Sequence, residues 1–324
     1  MLSENLRKRI AALNRGDLQH TSSPPDDPAS GEDPPAAEKP RRRPQGKRTG
    51  VPEKILPAAQ PPPAHEMRLV ASASDARLRL SLDDVVAGEE IETDAGSFLL
   101  IDRSYQELFP GGGSAFGKHY AGLISSLEDD VVPEDRYDTF RPLAAAKPED
   151  LLYVDIEATG FTSGTPLFLV GALSFFSGDL RVRQLLARDY TEEAGLLSCF
   201  SPMLDAADVV ISFNGKTYDL PYIRDRSLFM GVPFDLRQIH IDMLHVARRR
   251  WGKRLPNCKL QTLEQYICRR MRQGDIPGSE IPDAYHRFVQ SGNAVQMRDI
   301  LHHNALDLIT MAEVMAFILE GREL

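Results

Sequence analysis

The chain has 324 residues, 42% hydrophobic and 26% charged, with a formal net charge of −9. That is enough for two ordinary domains or one large one with a real core, and the negative balance excludes a protein that coats nucleic acid by bulk charge, leaving only local basic patches for such contacts. Cys199, Cys258 and Cys268 form no C-x-x-C pair, no run nears the ~18 apolar residues of a membrane span, and the N-terminus lacks a secretory core, which predicts a cytoplasmic protein with no membrane partner.

Residues 1–66 hold 12 of the 23 prolines and no aromatic residue, a composition that cannot bury enough surface to offset ordering and so predicts a disordered tail. Within it, Leu2, Leu6, Ile10 and Leu13 can line one face of a short helix, a candidate docking peptide for a protein partner. "KPRRRPQGKR" (39–48) is either a phosphate-contacting arm or a solvated linker. From 67 to 150 alternation and turn glycines at Gly88 and Gly96 predict a small β-rich subdomain with loops at 110–114 and 128–135.

From 151 to 324 the pattern becomes α/β. "LLYVDIEATG" (151–160), "LFLVGALSFF" (167–176) and "LRVRQLLA" (180–187) read as three strands, the last pairing antiparallel. A helix follows over 191–207, then a strand over 208–215, and the remainder reads as helical with loops at "GKRLPN" and "GDIPGSEIPD". This order predicts a mixed sheet flanked by helices.

The first strand poses a problem. Side chains at i and i+2 share a face, so Asp155 and Glu157 aim the same way, about 7 Å apart at their Cα atoms. Two carboxylates beside an apolar core repel each other unless a cation or protons compensate. Asp219 follows the strand ending in "ISFNG", and Asp307 sits mid-helix in "LHHNALDLITMAEVM", where an acid has no capping role. His303 lies four positions before Asp307 and shares its face, while His302 lies five before. Hard cations such as Mg²⁺ take carboxylate oxygens, and a pair of them about 3.5–4 Å apart can hold the attacking and leaving oxygens of a phosphodiester.

Acid-x-acid on a first strand, an acid after a later strand and an acid on a late helix together resemble the DEDD (DnaQ-like) 3′–5′ exonucleases of the ribonuclease H-like superfamily. "NGKTYDLP", "DMLHVARRRW", "LPNCKLQTLE", "DIPGSEIPDAY" and "HNALDL" are similar to the bacterial YprB-like ribonuclease H-like domain over residues 151–319. The resemblance implies two Mg²⁺ or Mn²⁺ ions per site, with Asp155 bridging both, Glu157 and Asp307 on the first and Asp219 reaching the second. It implies a histidine that deprotonates the attacking water: His303 by the tyrosine-type spacing, which the second motif favours, or His302 by the histidine-type spacing. The substrate implied is single-stranded or frayed DNA or RNA. Thr159 and Asn214 are candidate contacts to it, and Lys216 either holds a phosphate or pairs with an acid of the site. Arg248, Arg249, Arg250, Lys253 and Arg254 surround the single tryptophan, Trp251, as candidate phosphate contacts with a stacking aromatic, or as a solvated face with a core Trp. A binding module with little turnover and a structure-specific endonuclease are the competing readings on the same fold.

Overall fold

The computed structural model describes residues 79–109, 113–127, 139–272 and 274–324. The expectations for the tail, the docking helix, the basic 39–48 stretch and the 128–135 loop lie outside the described residues.

Seven strands form one sheet: β1 (Glu89–Thr93), β2 (Gly96–Ser104), β3 (Leu151–Ala158), β4 (Leu167–Phe176), β5 (Asp179–Leu186), β6 (Val209–Ser212) and β7 (Ile239–Asp242), in the order β1-β2-β5-β4-β3-β6-β7. β3, β4 and β5 pair antiparallel as the sequence predicts, whereas β6 and β7 run parallel to β3. β7 was missing from the sequence expectation, which took the segment as helical. It is four residues long with only its last two buried, too short for its alternation to register. The β-rich stretch before 151 does not form its own sheet: β2 hydrogen-bonds to β5 from Leu99↔Leu186 to Ser104↔Arg181, so β1 and β2 extend the same sheet.

Six longer helices flank it: α1 (Gly113–Ser125), α2 (Glu193–Asp205), α3 (Asp219–Met230), α4 (Met243–Trp251), α5 (Ile281–Ser291) and α6 (Val295–Leu319). The alternation of β3 divides the core between two faces. Leu152, Val154 and Ile156 pack with Leu197 and Phe200 of α2 and with Tyr285 of α5. Leu151 and Tyr153 pack on the other face with Tyr120 of α1, Val246 and Trp251 of α4, and Leu308, Met311 and Met315 of α6. The 25-residue α6, about 37 Å long, is the pillar of that second face. Among the described residues no helix is long and apolar enough to cross a membrane.

Candidate functional site

Asp155 and Glu157 continue the Leu151–Tyr153 line, so both aim toward the α6 side of the sheet, half-buried. Asp155 stands across from Gly171 of β4, which stands across from Gln184 of β5. Asn304 of α6 enters over that row. Its Nδ2 donates to Asp155 Oδ2 at 2.8 Å and to the Asp155 carbonyl at 3.2 Å, and its Oδ1 accepts from Gln184 Nε2 at 2.9 Å. Gln184 Nε2 also donates to the Leu301 carbonyl at 2.7 Å. The close approach depends on Gly171, where a Cβ would stand 2.2 Å from Asn304 Oδ1. A glycine on the sheet and an asparagine on the helix thus fix Asp155 relative to α6.

β6 pairs with β3 only as far as Tyr153↔Ile211. Beyond that point the N–H of Ile156 donates to Asp219 Oδ1 at 3.3 Å, which ties the first residue of α3 to the acid-bearing end of β3. The turn leading to Asp219 is held from below. Asn214 adopts φ 70°, and the buried Asp242 at the end of β7 accepts from the N–H groups of Asn214 at 2.9 Å, Lys216 at 3.2 Å and Leu244 at 3.0 Å. Gly215 lies so close that a Cβ would be 2.3 Å from Ser212 Oγ and 3.2 Å from Asp219 Oδ2.

Helix α6 starts at Val295, so both His302 and His303 are well inside it. His303 Nε2 lies 3.6 Å from Asp307 Oδ2 one turn on, and its Nδ1 lies 2.8 Å from Asp275 Oδ1. Arg272 comes from the irregular segment after the Glu264–Cys268 turn. Its Nε donates to the buried Glu264 at 2.5 Å, its Nη1 to Asp275 Oδ2 at 3.2 Å, and its Nη2 to Asp307.

The electrostatics follow from this crowding. Burial raises the Asp155 carboxyl well above the carboxylate range, and the charges of Asp307, Glu157 and Asp219 raise it further. Glu157 is raised by burial and then by Asp307, Asp219 and Asp275, with Arg272 opposing. Burial lifts Asp219 to about 7 against its backbone hydrogen bonds. Burial alone would lower His303, but its bond to Asp275 and the charge of Asp307 carry it above its ordinary value. His302 is pushed down to about 4 by burial and by Arg272. The two adjacent histidines are therefore shifted in opposite directions: burial lowers both, and at His303 the bond to Asp275 and the charge of Asp307 outweigh it.

Among the described residues no group of three or more His, Cys, Asp or Glu side chains is gathered at metal-ligating geometry. The donors nevertheless fit a hard divalent cation. Four carboxylates from β3, α3 and α6 lie within each other's field, their oxygens are the ligand type Mg²⁺ and Mn²⁺ prefer, and Arg272 engages only Asp307 among the four.

The expected nucleic-acid contacts are only partly placed near these acids. Thr159 is buried and donates from Oγ1 to the Pro166 carbonyl at 3.0 Å, so its hydroxyl closes the β3–β4 loop. Asn214 and Lys216 are exposed on the turn before Asp219. Trp251 is fully buried, edge-on to Phe317 at 6.2 Å, and cannot stack a base; Met243, Ala247 and Trp251, one helical turn apart, form the buried stripe of α4. The basic residues around it sit near the end of the chain. Arg254 pairs with Glu323 at 2.5 Å, Arg250 donates to the Arg322 carbonyl at 3.3 Å, and Arg249 donates to Thr139 Oγ1 at 2.6 Å, while Arg248 and Lys253 are exposed. From Asp307 to the last residue of α6 is roughly 18 Å along the helix, so this cluster is separate from the carboxylates. Sequence reasoning passed over Gly171, Gln184, Asp242, Asp275 and Asn304 as site residues, although "DIPG" and "HNALD" lay within the stretches it singled out.

A family model described as RNase_H superfamily matches residues 152–319, just over half of the chain. The chain is 28% identical over 201 residues to the uncharacterized protein YprB of Bacillus subtilis (strain 168), covering 60% of this chain and 48% of that relative, so it spans less than half of the relative's length. Among solved structures it is similar to the family B DNA polymerase of the hyperthermophilic archaeon Pyrobaculum calidifontis, with 15% identity and a TM-score of 0.43 over 52% of this chain and 24% of that one. The family match spans all but the first residue of β3 through the last residue of α6 and takes in Asp155, Glu157, Asp219 and Asp307; the chain belongs to the RNase_H superfamily, a nuclease-type fold.

Proposed function

We propose that this protein is a divalent-metal-dependent nuclease that hydrolyses phosphodiester bonds from the 3′ end of single-stranded or frayed nucleic acid. The observation that carries the reading is the mutual field of Asp155, Glu157, Asp219 and Asp307, three of them raised by burial and most of the raising charge coming from one another. A core has no use for four like charges in one place, whereas a metal site requires them.

In this reading Asp155, Glu157, Asp219 and Asp307 hold two Mg²⁺ or Mn²⁺ ions, which when bound offset the negative charge developing at phosphorus and make water a better nucleophile. Asn304 keeps the Asp155 carboxylate turned toward α6, and Asp242 keeps the turn that delivers Asp219. His303 receives the proton of the attacking water, because it is the histidine that stands beside Asp307, with Nε2 3.6 Å from its carboxylate. His302, which burial first and the charge of Arg272 second push down to about 4, has no part in the step. Asn214 and Lys216, exposed on the Asp219 turn, contact the phosphates of the strand.

The experiment is hydrolysis of 5′-labelled DNA and RNA oligomers, side by side, with Mg²⁺, Mn²⁺ or EDTA. A ladder shortening one nucleotide at a time from the 3′ end, dependent on metal and absent in Asp155→Asn, is the expected result. Internal cuts at discrete positions would make the protein an endonuclease, and binding with no metal-dependent cleavage would reduce it to a recognition module.

A further inference from the structure

His303 is held at both ring nitrogens by acids, and the two acids come from different places. Asp307, one turn along the same helix, stands 3.6 Å from Nε2; Asp275, 28 positions earlier in the chain, stands 2.8 Å from Nδ1. We infer that Asp275 is a positioning residue that fixes the tautomer and orientation of the His303 ring, leaving Nε2 as the nitrogen presented to the carboxylate site. The inference rests on the reading above that His303 takes the proton of the attacking water.

The argument begins with donor chemistry. A carboxylate accepts and cannot donate, so the 2.8 Å contact at Nδ1 places a proton there; Arg272 Nη1 lies farther from the same nitrogen, at 3.5 Å, and makes its shorter contact to Asp275 Oδ2. In the neutral ring the lone pair is then on Nε2, the side of Asp307. Asp275 can impose this because it is itself immobilised. While Oδ1 meets His303, Oδ2 accepts from Arg272 Nη1 at 3.2 Å and from Gln261 Nε2 at 3.2 Å. Arg272 is anchored in turn by the fully buried Glu264. The next residue, Ile276, is buried in the apolar cluster that holds Tyr285 of α5. The charge balance agrees: burial would raise Asp275, but the His303 bond and the nearby charges of His303 and Arg272 hold it below its ordinary value, so it is present as the acceptor. Asp307 alone could not do this work, because an acid at Nε2 draws the proton to the nitrogen that must be free.

The test is performed on the full chain with ¹⁵N-labelled histidine. In metal-free wild type at a pH where His303 is neutral, the ring shifts, assigned by their absence in His303→Ala, report the Nδ1–H tautomer. In Asp275→Ala the ring reverts to the Nε2–H form that free imidazole side chains favour. Asp275→Asn, whose amide oxygen can still accept from Nδ1, retains the wild-type tautomer. With substrate and Mn²⁺, Asp275→Ala lowers the single-turnover rate about 10²-fold, the scale of a misplaced reacting group. Mn²⁺ affinity and substrate affinity stay at wild-type values, and Asp275→Asn recovers most of the rate. An Nε2–H tautomer in the wild type overturns the inference without any variant, and so does an unchanged tautomer in Asp275→Ala. A wild-type rate in Asp275→Ala beside a slow His303→Ala removes the positioning role alone, whereas a wild-type rate in His303→Ala removes the parent reading of the base and this inference with it.

Discussion

Glu193 and Asp155 are both acids withdrawn from water, and their surroundings are opposite. Glu193, on α2, accepts from Arg226 Nε and Nη2 at 2.6 Å each and from the N–H of Leu167 at 2.9 Å, with both side chains nearly inaccessible. Burial raises it, Arg226 and the N–H pull it back, and no like charge figures among its neighbours. Asp155 has the Asn304 amide as its side-chain partner, and its charged neighbours are mostly Asp307, Glu157 and Asp219. The first arrangement is a closed account of one anion and one cation that fastens α2 to α3 and the start of β4. The second carries more negative charge than its single arginine offsets. A fold gains nothing from such an excess, which is why the second region, and not the better-bonded first, is where function is to be sought.

The sharpest way to break this comparison is to neutralise one acid in each region. Asp155→Asn keeps the shape and the bond to Asn304 while removing a charge from a crowded set, so it abolishes metal-dependent turnover and leaves the metal-free protein as stable as wild type or more so. Glu193→Ala strands Arg226 in the interior and costs about 3–5 kcal/mol, the scale of a broken buried pair. Denaturant titrations of both variants beside the hydrolysis assay decide it. Loss of stability in Asp155→Asn comparable to that in Glu193→Ala would make the carboxylate cluster structural.

The same excess charge gives the metal-free protein a pH signature. Asp219 has an ordinary carboxylate value of 3.8 unfolded and about 7 folded. A group raised on folding contributes stability that is fully present below its unfolded value and is lost as pH rises through its folded value. His302, depressed to about 4, works in the opposite sense between its ordinary 6.5 and 4, and Asp155 and Glu157 are raised as Asp219 is, so the raw pH profile mixes all of them. Comparing wild type with Asp219→Asn separates them. The two are equally stable near pH 4, and the variant becomes the more stable by pH 8, because the amide imitates the protonated acid and keeps an acceptor for the Ile156 N–H. Melting curves at each pH without metal check this; a gap constant with pH would mean that Asp219 does not titrate in this window. Mn²⁺ raises the wild-type melting temperature more at pH 8 than at pH 5.

What the sequence disclosed divides along the same line. The four acids stand out because their spacing is local chemistry: two on one strand and one mid-helix break the rule of their own element, while Asp219 opens a helix, where an acid is ordinary. The strands from β3 to β6 could be read from short apolar runs and, in β5, from alternation. The supports could not. Asn304, Gly171 and Gln184 meet only because the antiparallel register sets Asp155 beside Gly171 beside Gln184, a relation that no short stretch contains. Arg272 and Asp275 lie in an irregular segment and reach partners 35 and 28 positions away. Trp251 allowed two readings in the sequence, a stacking aromatic or a core residue, and the 243–247–251 period is the signal that it belongs to the core.

One of those supports gives a finer test. Gly171→Ala adds a single methyl group and removes no functional atom, yet its Cβ would stand 2.2 Å from Asn304 Oδ1 and 2.7 Å from Nδ2, so the asparagine has to leave its place between Asp155 and Gln184. Overpacking on this scale costs about 1–3 kcal/mol. The variant melts lower than wild type and loses turnover more than stability, because Asp155 is no longer held toward α6. Adding Asn304→Ala to it relieves the clash without restoring the hydrogen bond, so stability partly returns and activity does not. A Gly171→Ala protein with wild-type turnover would show that the Asp155–Asn304 contact is incidental to the site.

The smallest effect belongs to the basic residues at the end of α4. Arg248 and Lys253 are exposed, and their neighbours Arg250 and Arg254 are engaged with residues at the chain's end, roughly 18 Å or more along α6 from Asp307. If they touch nucleic acid they do so on a part of the strand remote from the reacting bond. Replacing both with Ala then weakens binding of long oligomers, shallows the salt dependence by at most about 0.7 per lost phosphate contact, and leaves short oligomers and the single-turnover rate unchanged. The salt dependence of binding, measured for a short and a long oligomer, reads this directly. Equal weakening of short and long oligomers would bring the cluster to the reaction centre and erase the separation, while no weakening of either would leave these side chains as a solvated face. The distinction matters for the carboxylate region as well, because only in the second case must a strand be held near Asp155 by Asn214, Lys216 and the bound cations alone.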